Sequence, residues 1–201
     1  MIDPRSRMLA AVRHILNTEG SRALTSRNVI RVAGLPPKGR WIKKHFNNTD
    51  GLLTAYLVQA DFWLRLDDTI GTIRTDDLND CTRLKALVVR ILHHQLDCFF
   101  DSREMQELMV WGISRPRSRL KREFSDARER AAAELLTAAD RLLGSREIPF
   151  LPMAVFLVGA CYFLPFHAAQ NLSTFCGLDL TTEEGKKEVY DAVAYLVNDV
   201  L

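Results

Sequence analysis

Apolar side chains recur every three to four positions through nearly the whole chain, and no stretch sustains the alternation of a half-buried strand. Met8, Ala11, Val12, Ile15 and Leu16 form the stripe of a first helix that Gly20 stops. Thr25 is suited to cap a short second helix with Val29, Ile30 and Ala33 facing inward, and Gly34 breaks it. Pro36 or Pro37 fits the first turn of a third helix running to about Phe46, because that turn has no use for the missing N–H. A fourth helix, capped by Thr49 or Asp50, is expected through Trp63 to about Asp68, followed by a polar loop over 71–80. Further helices are expected around Leu84–Phe99, around Met105–Trp111, over Arg119–Leu143, from Pro152 to about Phe175, and over Thr182–Leu201. The expectation is an all-α fold of about nine helices: a tri-helical unit over residues 1–47 and a larger helical bundle over 48–201.

Composition narrows this picture. With 201 residues, 47% hydrophobic and 26% charged, and only ten Gly and seven Pro, the chain is neither disordered nor fibrous. Its formal charge of +2 conceals a division. Residues 1–46 carry ten bases against two acids, and the remainder carries 17 bases against 23 acids. A small basic unit joined to a larger acidic one is the asymmetry expected when one part meets a polyanion. Cys81, Cys98, Cys161 and Cys176 are widely spaced with no CxxC pair, so free thiols in a reducing cytoplasm are expected. The segment Ile148–Phe166 is apolar over a bilayer's length, but it contains Pro149, Pro152 and Pro165. It lacks basic and aromatic belts on both flanks, so burial in protein, with no membrane partner, is the expectation.

The order of features from Met8 to Leu53 carries a more specific signal. A first helix ends at Glu19-Gly20; Leu24-Thr25 opens a helix that closes on Val32-Ala33-Gly34-Leu35. After Lys38-Gly39, His45-Phe46 ends the third helix and Asn48-Thr49-Asp50-Gly51-Leu52-Leu53 opens the fourth. Ile42 and Phe46 supply an inner face for the third helix, Arg40, Lys43 and Lys44 an outer one, as a groove-reading helix requires. This stretch resembles the helix-turn-helix domain of the TetR family of transcriptional regulators. The resemblance implies a homodimer on palindromic double-stranded DNA and a larger domain that binds a small apolar effector. The expected DNA contacts are Thr25, Arg27, Asn28, Lys38, Gly39, Arg40, Trp41, Lys43, Lys44 and His45. Two features depart from the family pattern. The stretch between Gly34 and Phe46 is about two residues longer and holds Pro36-Pro37, and Asp50 stands where the family usually has a Lys.

In the larger part, Trp63, Phe100, Met109, Trp111, Tyr162 and His167 are the candidate effector-lining residues, with ordinary core the weightier reading for each. Gly159 and Ala160 allow close helix approach, and Ala168, Ala169 and Leu172 continue a face expected to pair with Val189, Val193 and Leu196 across a two-fold axis. Arg115, Arg117, Arg119, Lys121 and Arg122 form a second basic cluster, either solvated or an extension of the DNA footprint. His94 and Cys98 share a helical face without further ligands in reach, so neither metal nor cofactor is expected. Cys161 and His167 face different ways on one helix, and no nucleophile–base pair or phosphate loop is present, so an enzyme is not expected. The competing expectation is a helical ligand-binding or adaptor protein whose helix-turn-helix no longer selects a DNA sequence.

Overall fold

The computed structural model describes residues 3–114, 118–143, 149–170 and 174–200, and among these the fold is all-α with ten α-helices. They are α1 (Pro4–Thr18), α2 (Ser26–Val32), α3 (Trp41–Phe46), α4 (Thr49–Ala60), α5 (Leu66–Ile70), α6 (Cys81–Asp101), α7 (Arg103–Ile113), α8 (Arg119–Leu143), α9 (Phe150–Ala169) and α10 (Glu183–Tyr195). Short 3-10 turns cover Ser21–Ala23 and Trp63–Arg65, and a π turn, Leu196–Val200, extends α10.

The helix starts follow local capping chemistry. Asp3 accepts the N–H groups of Arg5 and Ser6 with Pro4 in the first turn of α1, and Thr25 accepts the Asn28 N–H at the head of α2. Asn48, rather than Thr49 or Asp50, caps α4 by accepting the Gly51 N–H at 2.8 Å. Asp80 and Thr182 do the same for α6 and α10.

Three expected elements differ. The third helix begins at Trp41, not at Pro36 or Pro37: residues 35–40 form a turn in which the Gly39 N–H bonds the Pro36 carbonyl at 3.2 Å. The fourth ends at Ala60, because Asp61 is extended (φ −73°, ψ 132°) and its carboxylate accepts the N–H groups of Trp63 and Leu64 to start a new turn. The apolar helix runs from Phe150 and stops at Ala169 rather than continuing to Phe175, which instead pairs with Leu178 across a tight turn.

The chain forms two compact units, and they do not divide after residue 47. Unit 1 comprises Met1–Arg65 and Arg103–Arg128; unit 2 comprises Leu66–Ser102 and Glu129–Leu201. In unit 1, Met8, Val12, Ile15 and Leu16 of α1 are buried with Val29, Ile42, Phe46, Leu52 and Leu57. Four polar links also hold α7 and the start of α8 in this unit. The Tyr56 hydroxyl donates to the Glu104 carboxylate, which is 9% exposed and also pairs with Arg13 at 3.4 Å. Glu107 accepts the Ser21 N–H at 2.7 Å, and Arg128 donates through Nε to the buried Asp61 carboxylate at 3.0 Å. The first three tie α7 to the first helices, and the fourth, the one pair among them with a nearly fully buried carboxylate, ties α8 to Asp61.

Unit 2 is built on α6, whose stripe from Leu84 through Leu96 to Phe99 is buried, with Leu157, Cys161 and Ala168 of α9 and Val189 and Val193 of α10. The burial of Val189 and Val193 inside the chain corrects the expectation that they face a partner; Leu172 lies outside the described residues.

Candidate nucleic-acid interface

Two arginines of α1 hold the segment from α2 to α3 from both ends. Arg7 Nη2 donates to the Gly34 carbonyl at 2.8 Å, and Gly34 has φ +61°, a left-handed conformation that glycine adopts without strain. Arg5 Nη1 donates to the His45 carbonyl at 3.1 Å and its guanidinium lies 4.5 Å above the Phe46 ring, which places a cation at the C-terminal end of α3. The chain then reverses through Asn47 (φ 68°, ψ −46°), with the Asn48 N–H bonding the Phe46 carbonyl at 2.8 Å. This is the rare, strained form of γ-turn, occupied here by a residue other than glycine.

The ten bases of residues 1–46 therefore fall into two groups. Arg5 and Arg7 bond backbone carbonyls, Arg13 pairs with Glu104 and Arg31 with Glu19. Arg22, Arg27, Lys38, Arg40, Lys43 and Lys44 are exposed, and none has an ion-pair partner among the described residues. Lys43 and Lys44 point out of α3 while Ile42 and Phe46 are buried beneath it. Such a bare positive surface is one that a polyanion could neutralise.

The remaining expected contacts are engaged by the fold. Trp41 folds back on the preceding turn: its indole N–H donates to the Pro36 carbonyl at 2.9 Å, and a Cβ on Gly39 would collide with the same ring. His45 stacks on Trp41 with centroids 6.4 Å apart and planes 12° from parallel, and its Nε2 is buried without a hydrogen-bond partner. Asn28 is held by internal hydrogen bonds. Its amide nitrogen donates to Glu19 and to the Ala23 carbonyl while its oxygen accepts from Arg31, leaving no amide face for a base. Thr25 Oγ1 is the cap acceptor of α2, with its own proton left for a phosphate.

The six expected effector-lining residues do not come together in one unit. Trp63, Met109 and Trp111 belong to unit 1, where Trp63 is buried and Trp111 lies under the Lys121 ammonium, 5.1 Å from its Nζ. Phe100, Tyr162 and His167 belong to unit 2, where Lys186 sits over Phe100, Tyr162 packs edge-on against Phe99, and His167 joins Phe163 and Phe175 in an aromatic cluster. Sequence reasoning missed Gln95, fully buried on α6, with Nε2 3.4 Å from the Val158 carbonyl and Oε1 unpartnered. Its signal was present: an amide interrupts an otherwise apolar stripe. Among the described residues, no three His, Cys, Asp or Glu side chains gather as a metal set. No family model, curated protein or solved structure matches the chain.

Proposed function

We propose that the chain is a TetR-type transcriptional regulator, a cytoplasmic repressor that binds a palindromic operator as a homodimer and releases it when an apolar small molecule binds. The observation that carries this reading is the unpaired positive charge of Arg27, Lys38, Arg40, Lys43 and Lys44, concentrated on α2, α3 and the turn between them. Lys43 and Lys44 enter the major groove from the outer face of α3, and Arg27, Lys38 and Arg40 meet the flanking phosphates. In a dimer, the two copies of α3 would need to lie one helical repeat apart, roughly 34–36 Å, to read successive grooves.

The dimer seam is assigned to α9. This helix is long and apolar enough to cross a membrane, yet only 22% of its most apolar window is buried in the chain. Val155 and Phe156 are 71% and 75% exposed, Leu151 and Phe163 are also exposed, and a Cβ on Gly159 would meet nothing within 4 Å. A second copy laid along this face covers it and lets helices approach closely at Gly159. The effector belongs to unit 2, where the buried Gln95 Oε1 and His167 Nδ1 lack partners and would accept a hydrogen bond from an otherwise apolar molecule. An effector that binds one dimer spacing better than the other shifts the population away from the DNA-binding state.

A second reading has its own observation. α3 is six residues, ~9 Å, and follows a turn longer than the family pattern, which favours an adaptor or ligand-binding protein whose helix-turn-helix no longer selects a sequence. A titration of a mixed-sequence duplex at several salt concentrations tests the shared premise of DNA contact. Affinity falling steeply with salt, with a slope of about −0.9 per phosphate neutralised, supports it; a slope near zero removes DNA as the partner under either reading.

A further inference from the structure

Unit 1 contains a concave site away from α3. It is a cleft of about 260 Å³ between the Ser21–Ala23 turn, the head of α4, the end of α7 and the start of α8. Its walls are Leu53, Leu120 and Trp111, and its charged groups are Arg22, Lys121 and Asp50.

Lys121 is the unusual member. Its ammonium is half-buried, donating to the Ser114 carbonyl at 2.7 Å and to the Ser114 hydroxyl at 3.2 Å while lying over the Trp111 ring. Among the described residues it has no carboxylate partner, and the desolvation holds its pKa below the ordinary lysine value. A partly desolvated cation normally acquires a counter-ion. Glu107 does not supply one: it accepts the Ser21 N–H and does not line the cleft. Arg22, exposed and equally without an acidic partner, lies on the same cleft.

Among the described residues, two cations face one carboxylate on this cleft, and the one positive charge left over matches a monoanion. The volume suits a molecule of the size of a small aromatic acid, and apolar walls beside two lining cations suit one with an apolar body. We propose that this cleft binds a small organic monocarboxylate, its carboxylate seated between Lys121 and Arg22 and its apolar body against Trp111, Leu53 and Leu120. The proposal is tested independently of DNA recognition, because the described lining belongs to unit 1 and occupancy is measured on the full chain without DNA.

The test is a titration of the full-length chain with benzoate, and with neutral benzamide as the isosteric control. The readout is the Trp111 indole N–H resonance, assigned by its loss in Trp111→Phe. Benzoate is expected to shift this resonance saturably, with benzamide at least about tenfold weaker. Arg22→Gln, a change at an exposed residue, and Lys121→Gln are each expected to weaken benzoate by about tenfold, and Lys121→Arg to keep most of the affinity. Equal binding of benzoate and benzamide, no saturable shift, or full affinity in both glutamine variants would overturn the proposal.

Discussion

Arg7 and Gly34 form a single mechanical joint: the guanidinium nitrogen that bonds the Gly34 carbonyl at 2.8 Å also lies 2.8 Å from where a Cβ on Gly34 would stand. A side chain at 34 therefore strains a left-handed backbone and displaces the clamp in one step. Gly34→Ala is expected to lower stability by about 1–2 kcal/mol from the backbone alone, and Arg7→Met by about 0.5–1 kcal/mol from the lost bond. The double variant should cost less than the two together, because the clamp is lost only once, and a double-mutant cycle in urea measures the difference. Strict additivity would show that a side chain at 34 does not displace the Arg7 clamp.

Asn47 is the second strained position, and it follows the last residue of α3 directly. Its φ of 68° with ψ −46° suits glycine, and its exposed side chain makes no hydrogen bond among the described residues. Asn47→Gly is expected to raise stability by about 0.5–1 kcal/mol, and Asn47→Val to lower it. Thermal or urea denaturation reads both; a loss of stability in the glycine variant would show that the turn is not strained.

The exposed face of α9 predicts association. Phe156→Glu places a carboxylate in the middle of that face, where burial against a second copy is unfavourable without a cation to meet it. The parent chain is expected to sediment as a dimer and Phe156→Glu as a monomer with unchanged helical circular dichroism. A parent chain that stays monomeric, or a variant that still dimerises, rules out this seam.

Stability should fall at alkaline pH. Burial pushes the Cys161 thiol up from 9.0 to about 12, and burial with the neighbouring carboxylates Glu104 and Asp97 raises the Tyr56 and Tyr190 phenols above their ordinary value of 10.0. Each group holds its proton more tightly folded than unfolded, so its contribution is complete below its unfolded pKa and drains away as pH rises toward the folded value. Between pH 9 and 10 Cys161 drives the decline, at up to about 1.4 kcal/mol per pH unit, opposed in part by the lowered Lys121 ammonium; above 10 the two tyrosines join it. Urea midpoints should be flat to about pH 8.5 and then decline, with Cys161→Ala removing the first part of the decline. A midpoint that rises with pH in this range contradicts the assignment.

Much of the architecture was legible because helices announce themselves through period and capping chemistry. The stripe from Met8 to Leu16, the Thr25 cap and the Gly34 break all lie where local rules place them. The start of α3 was not legible, since Pro36 and Pro37 satisfy the rule for a helix start while an indole bond from Trp41 to Pro36 holds the same residues in a turn. The candidate interface was legible as charge but not as roles. Nothing local separates Arg7, which clamps a carbonyl 27 residues away, from Arg27, which is bare. Asn28 was expected among the DNA contacts because its internal partners, Glu19 and Ala23, become neighbours only when the turn closes. The link between Tyr56 and Glu104 joins residues 48 apart and has no sequence signature. In α9 the composition is so uniformly apolar that no period distinguishes the face covered by α6 from the face left open.

The central claim, that this unit reads a palindromic DNA sequence, is tested most directly by selecting duplexes from a random pool with the purified full-length chain. The account predicts enrichment of an inverted repeat whose half-sites are about 10 bp apart, and loss of that enrichment in Lys43→Ala/Lys44→Ala. Salt-sensitive binding with no enriched sequence, or enrichment that survives the double variant, would contradict it.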